Sequence, residues 1–274
     1  MFTLRNKERT LSVDKPVVMG ILNITPDSFF VGSRYEQLDH VLEKAEQMLQ
    51  NGATILDIGG QSSRPGSTRI DAATEWARIE NPLRELVKRF PEAFISIDTY
   101  HAAVATHALN EGAFMINDIS AGEMDKNMID TVARAGAPYV IMHMRGTPAT
   151  MQEQTQYDDL TQEVIAYLKA KKDSCIQRGI TDLVVDPGFG FAKTIAQNFQ
   201  LLAQLEKFSV LQSPLLLGIS RKSFIYKTLG CLPEQALNGS TFLHAIGLQK
   251  GAAILRVHDV KEAVEAIRLF ERMR

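Results

Sequence analysis

FISIDTYHAAVATHALNEGAFMINDI, residues 94–119, decides how the rest of the chain reads. The run from Phe94 to Asp98 is apolar apart from Ser96 and ends on a carboxylate; the run from Phe114 to Ile119 carries Asn117 and Asp118 near its end. Between them, Tyr100 to Glu111 reads as a helix that stops at Gly112, a residue suited to the left-handed turn after a helix. Strand, helix and strand in this order call for parallel pairing and a right-handed crossover. A parallel strand covered on both faces is a nearly continuous apolar run, so a polar side chain at its carboxyl end needs a reason to be there.

The same unit recurs in both directions. Val17 to Thr25, Ile55 to Gly59, Tyr139 to Met144, Leu183 to Asp186, Leu215 to Ile219 and Ala253 to Val257 bring the expected strands to eight. As they end they deliver Asn23, Asp57, His143, Asp186, Ser220 with Lys222, and Arg256 with His258. Helical patterns lie between: Glu36 to Gln50, Asp71 to Arg89, Lys126 to Arg134, Asp158 to Arg178, Ile195 to Lys207, Thr241 to Gln249 and Val260 to Met273. Alternation alone also fits an open, doubly wound sheet. The even spread of polar strand ends favours a closed (β/α)8 TIM barrel with its chemistry at one rim. Residues 1–274 then form a single domain, with residues 1–16 a lead-in to the first barrel strand.

Composition narrows the partners. At 274 residues, 45% hydrophobic and 23% charged, the chain suits a globular protein with a large core. A net charge of −2 without a dense Lys/Arg tract gives no electrostatic footprint for nucleic acid or an anionic membrane, so a small molecule is the expected partner. Cys175 and Cys231 are too few for a disulfide framework and lack zinc-site spacing. The charged opening MFTLRNKERT lacks the apolar centre of a secretory signal, and no stretch reaches the roughly 18 apolar residues of a membrane span. A cytoplasmic location is the expectation.

The strand ends also have plain readings, since Asp, Asn and His cap helices and form turns. Asp57, followed by Gly59 and Gly60, reads at least as well as structural support, and His143 is placed there too. Asp98 and Asn117 end neighbouring strands and together suit one ligand. Asp186 lies in VVDPGFGF, where a carboxylate is followed by a loop able to approach a ligand closely. In GISRKSF, Lys222 and Ser223 stand at an expected helix start, where backbone amides favour an anion. In LRVHD, alternation puts Arg256 and His258 on one side and Val257 on the other, an arrangement suited to phosphate. Asn23 is a weak metal ligand alone, but magnesium takes few protein ligands when water and phosphate complete its shell.

Taken together and in order, MGILNITPDSF, DIGGQSSRPGS, SIDT, INDIS, MHMRGTP with TMQ, DPGFGFAKT, GISRKSF and RVHDVKE resemble the dihydropteroate synthases, between residues 19 and 262. The resemblance implies a (β/α)8 barrel that joins 6-hydroxymethyl-7,8-dihydropterin diphosphate to p-aminobenzoate, giving 7,8-dihydropteroate and diphosphate. By motif, Asp98, Asn117, Asp186, Lys222 and Arg256 would bind the pterin. Asn23, Arg256 and His258 would receive the diphosphate, with Asn23 as a Mg2+ ligand. Ser63, Arg64, Pro65, Lys222 and Ser223 would form the p-aminobenzoate site. Asp98, Asp186, Lys222, Arg256 and His258 would carry the catalysis. Sulfonamides as inhibitors and a homodimer through the outer helices follow from the same resemblance.

The chain departs from the family pattern in places. Val31 replaces an acid in the first loop, Gln61 replaces an acid and Ser63 a threonine in the second, and Ala192 stands at a common glycine, a mild change unless the backbone needs positive φ. Two alternatives stay open: a non-catalytic pterin-binding paralogue whose first two loops do not assemble, and a folate-dependent methyltransferase on the same barrel. The second leaves the diphosphate residues unexplained.

Overall fold

The computed structural model describes residues 2–7, 9–24, 34–62 and 66–273, the side chains of residues 34–36 excepted. Its first elements are β1 (Phe2–Asn6) and β2 (Arg9–Val13), an antiparallel hairpin. Eight parallel strands follow: β3 (Val17–Asn23), β4 (Ile55–Gly59), β5 (Phe94–Asp98), β6 (Met115–Asp118), β7 (Tyr139–Met142), β8 (Leu183–Asp186), β9 (Leu216–Leu217) and β10 (Ile254–Val257). Their order is β8-β7-β6-β5-β4-β3-β10-β9. The ring closes where Val185 N–H donates to Pro214 O at 3.0 Å and Val185 bridges Leu215 in parallel.

The helices are α1 (Arg34–Gln50), α2 (Ala72–Arg89), α3 (Ala102–Asn110), α4 (Met128–Ala135), α5 (Leu160–Gln177), α6 (Ile195–Ala203), α7 (Ser223–Leu229), α8 (Leu237–Gln249) and α9 (Val260–Glu271). The strands stop up to two residues short of the expected ends, because the ladder gives way to the loops that carry the site. Strand β9 is the extreme case: two residues against the five expected from Leu215 to Ile219.

Strand alternation sorts the core into two sides. Leu22, Leu56, Ile58, Ile97, Ile116, Val185, Leu217 and Val257 face outward and join the helices in one cluster. Met19, Ile55, Met115, Val140, Val184, Leu216 and Ile254 face inward and form an apolar layer near the amino-terminal end. Leu4, Leu11 and Val13 belong to that same inner cluster. The expected lead-in is therefore a plug: a hairpin that turns Leu4, Leu11 and Val13 inward and leaves Arg5 and Ser12 exposed. Asn6 ties it down by donating to Ala113 O and Phe114 O at 3.2 and 2.8 Å, and Arg5 N–H donates to Asp182 Oδ2 at 2.7 Å.

Candidate active site

Two residues beyond the apolar layer the same inward positions turn polar: Ile55 gives way to Asp57, Met115 to Asn117, Val184 to Asp186 and Ile254 to Arg256. Along the rim, Asn23, Gly59, Asp98 and Asn117 lie in register across β3, β4, β5 and β6. A barrel built this way has an apolar floor and a charged upper layer, positioned by strands and not by loops.

Arg256 is the hub. Its Nε donates to Asp57 Oδ2 and its Nη2 to Asp98 Oδ2, both at 2.6 Å. Asn117 Nδ2 donates to the same Asp57 oxygen at 3.0 Å. Burial alone would lower the guanidinium, but the carboxylates of Asp57 and Asp98 outweigh it and hold the charge in place. Burial raises Asp98 to about 7, with the charges of Asp57 and Asp118 adding to the effect and Arg256 opposing it. Asp57 is fully buried, and its Oδ1 has no partner among the described residues. Asp57 therefore supports the site from within, holding both Arg256 and Asn117. Beside its two glycines it reads as a turn former, yet the alternation that pairs Arg256 with His258 also puts Asp57 on the inward face of Ile55.

Asp186 and Lys222 stand across the pocket. Gly188 N–H donates to Asp186 Oδ1 at 2.7 Å, and burial raises that carboxyl against the pull of Lys222. Lys222 donates to Phe189 O and sits 4.6 Å from the centroid of the Phe191 ring. Burial lowers its ammonium to about 8. Lys222 is also the residue before α7, so Ser223 is the first residue of that helix. The preceding residue, Arg221, has a φ of 54° and is held by Asp259, with Nε to Oδ2 at 2.9 Å.

His258 Nδ1 lies 3.1 Å from Ser220 Oγ, and burial beside Arg256 lowers its imidazole to about 4. That shift favours the neutral ring at neutral pH, able to offer a hydrogen bond. Asn23 faces the same mouth: a Cβ built on Gly59 would lie 3.6 Å from Asn23 Oδ1 and 3.8 Å from Asp98 Oδ2. Ser63, Arg64 and Pro65, and Val31 in the first loop, lie outside the described residues.

Three neighbours carry no signal in the strand-end pattern. Glu75 on α2 is buried, accepts from Thr99 Oγ1 at 2.8 Å, and is pushed up to about 7 by burial, with Asp98 adding to the rise. Lys193 is buried and shares a hydrogen bond with His143 Nδ1 at 3.0 Å, so His143 supports the site from outside the ligand pocket. Gln61 bonds the Tyr100 hydroxyl through Nε2 and accepts from Ile70 N–H at 3.1 Å, which joins the base of the second loop to the turn after β5. The common acid at this position has thus been replaced by an amide with both ends in use. Ala192 has a φ of 50°, the condition under which its replacement of glycine is costly.

The resulting pocket is lined by an amide, carboxylates, an ammonium and a guanidinium, a set that suits a flat heterocycle with several donors and acceptors on its edge. The model of the pterin binding enzyme family matches residues 19–258. The dihydropteroate synthase of Escherichia coli K12 is 42% identical over 264 residues, 96% of this chain and 93% of that protein. The Bacillus subtilis enzyme is 38% identical over 262 residues, covering 95% and 89%. Among solved structures, the Yersinia pestis dihydropteroate synthase in complex with a sulfonamide drug has a TM-score of 0.93 at 41% identity, covering 100% of this chain and 99% of that one. The Xanthomonas albilineans enzyme with 4-aminobenzoic acid has a TM-score of 0.92 at 38% identity, covering 99% and 97%. The layered rim and these likenesses agree, and the chain belongs to the pterin binding enzyme family, within its dihydropteroate synthases.

Proposed function

We propose that this chain condenses 6-hydroxymethyl-7,8-dihydropterin diphosphate with p-aminobenzoate, forming 7,8-dihydropteroate and releasing diphosphate, with the pterin seated in the inward polar layer. The observation that carries these roles is the bridging of Asp57 and Asp98 by Arg256, with Asn117, Asp186 and Lys222 facing the same space. Asp98, Asn117, Asp186 and Lys222 bind the pterin edge and Arg256 packs over the ring. Cleavage of the methylene carbon–oxygen bond leaves positive charge on the pterin and negative charge on the leaving diphosphate. The buried carboxylate of Asp186 steadies the first, and Arg256 with His258 receives the second. The aniline nitrogen of p-aminobenzoate then attacks the methylene carbon and gives up its proton. Its carboxylate rests near Ser223, with Ser63, Arg64 and Pro65 completing the pocket.

Magnesium fits this reading through Asn23. Among the described residues no cluster of three His, Cys, Asp or Glu side chains forms a dedicated cage. A single amide oxygen at the pocket mouth beside Asp98 suits an ion that takes most of its ligands from phosphate and water. When bound there, the ion would neutralise charge on the departing diphosphate.

Among the described residues no helix is long and apolar enough to cross a membrane, and we place the enzyme in the cytoplasm. Phe242 on α8 and Leu269 on α9 are 64% and 69% exposed, which supports a homodimer through the outer helices; sedimentation tests it. The direct test of function supplies purified protein with magnesium, the pterin diphosphate and labelled p-aminobenzoate. Labelled dihydropteroate is the expected product, and a sulfonamide should compete with p-aminobenzoate. Absence of turnover sinks the reading. Lys222→Ala and Asp186→Ala should weaken pterin binding severely by calorimetry, and unchanged affinity in either rejects their roles.

A further inference from the structure

A buried ammonium needs compensation, because taking the charge out of water is costly unless its donors are all used. Lys193 is 3% exposed and its Nζ meets three acceptors: Gly188 O at 2.9 Å, Phe191 O at 3.0 Å and His143 Nδ1 at 3.0 Å. An ammonium has three protons, so every one is assigned. With Lys193 protonated, His143 accepts as a neutral imidazole, and burial lowers that ring far below its usual range, to about 2.

These contacts belong to a loop with no regular structure that is held one carbonyl at a time. From Gly188 to Ala192 every backbone carbonyl accepts from a side chain: Lys193 on Gly188 and Phe191, Lys222 on Phe189, Gln152 on Gly190 at 3.2 Å, and Tyr157 on Ala192 at 2.9 Å. The loop also runs close beneath β7. Gly188 has a φ of 73°, and a Cβ there would lie 1.9 Å from His143 O, so only glycine passes. Its far end is fixed where Asn198 of α6 accepts from Gly190 N–H at 2.6 Å.

Two peptides of this loop touch the charged groups of the pocket. The N–H of Gly188 bonds Asp186, while the carbonyl of the same residue is held by Lys193. The carbonyl of Phe189, one residue on, is the acceptor for Lys222, and Phe191, whose ring lies beneath that ammonium, has its backbone carbonyl held by Lys193. We propose that Lys193 is a positioning residue for pterin recognition: its three bonds set the Gly188 and Phe189 peptides, which in turn aim the carboxylate of Asp186 and the ammonium of Lys222. Lys193 itself touches no substrate. The proposal rests on the reading that Asp186 and Lys222 bind the pterin.

Lys193→Met removes the three donors and keeps the length of the side chain. Calorimetry with the free 6-hydroxymethylpterin should show a dissociation constant at least tenfold weaker. At saturating pterin diphosphate, KM for p-aminobenzoate should rise by less than the pterin dissociation constant, because among the described residues assigned to that site Lys222 is the one this loop holds. Lys193→Arg should not restore affinity, since a planar fork cannot point at three converging acceptors. A folded Lys193→Met or Lys193→Arg protein with wild-type pterin affinity overturns the proposal. So does a rise in KM for p-aminobenzoate as large as the loss of pterin affinity, which would make Lys193 a general scaffold residue. Should the Met variant not fold, His143→Leu decides: pterin binding at least threefold weaker supports the proposal, and unchanged binding overturns it. Failure of the underlying pterin reading would show separately, as wild-type protein that does not bind the pterin.

Discussion

At the amino-terminal end of the barrel, Leu4, Leu11 and Val13 of the hairpin press on Met19, Ile55, Val184 and Ile254. Two residues further along the same strands, about 7 Å away, the inward positions are Asp57, Asp186 and Arg256. The strands are shared, and the two layers differ in what the inward side chains do. The lower layer is stabilised by removing apolar area from water. The upper layer places charges in a low-dielectric interior, where they are tolerable only in mutual contact. A barrel can afford a costly rim because its stability is supplied from the other end and from the helix-facing side.

The sharpest way to break this contrast is to remove the cation that the upper layer shares. Arg256→Met leaves Asp57 and Asp98 facing each other without the cation that bridges them, and should cost roughly 3–5 kcal/mol of unfolding free energy in urea. It should also lower kcat/KM by at least 100- to 1000-fold, of the order seen when one charge-stabilising donor is lost. A loss of stability near zero would mean the trio is not a unit. At the lower end, Leu4→Ala should cost about 2–5 kcal/mol while leaving KM for both substrates unchanged. An altered KM would show that the plug and the rim are coupled.

Glu75 gives the contrast a pH dependence. Burial raises its folded carboxyl to about 7 from the ordinary 4.5, so between those pH values the native state holds a proton that the unfolded chain has released. Stability therefore falls as pH rises through this window, by no more than about 3 kcal/mol from this group. Glu75→Gln should flatten that slope in urea titrations at pH 5, 6 and 7, and a slope identical to wild type would reject the burial account. The smallest effect is expected at Ala192, whose φ of 50° glycine adopts without strain. Ala192→Gly should add up to about 1 kcal/mol, read as a raised thermal midpoint; a lowered one would show that the methyl packs well enough to offset its strain.

Much of the fold was legible because strands covered on both faces must be apolar throughout. That same rule made Asp98, Asn117, Asp186 and Arg256 stand out as exceptions. The hairpin was not legible: Arg5, Lys7 and Arg9 interrupt Leu4, Leu11 and Val13, and the partners that receive Arg9, the Phe94 ring and the Glu92 and Ala93 carbonyls, are far away in sequence. Asp57 was obscured by the glycines beside it, which suggest a turn. Lys193 was obscured by residue type, because a lysine after a glycine-rich loop is ordinarily solvated, and only the fold brings His143 to its amine. Gln61 has its partners at Tyr100 and Ile70, contacts that local spacing does not encode.

The hairpin also bears on the order in which the molecule is made. Residues 2–13 leave the ribosome long before the groups that hold them, which are the carbonyls of Glu92, Ala93, Ala113 and Phe114 and the carboxylate of Asp182. At synthesis rates of roughly 5–20 residues per second, that segment waits on the order of ten seconds or more for its last partner. During that interval its apolar face has no barrel to enter, and a cell making this protein must keep the nascent chain from pairing with something else.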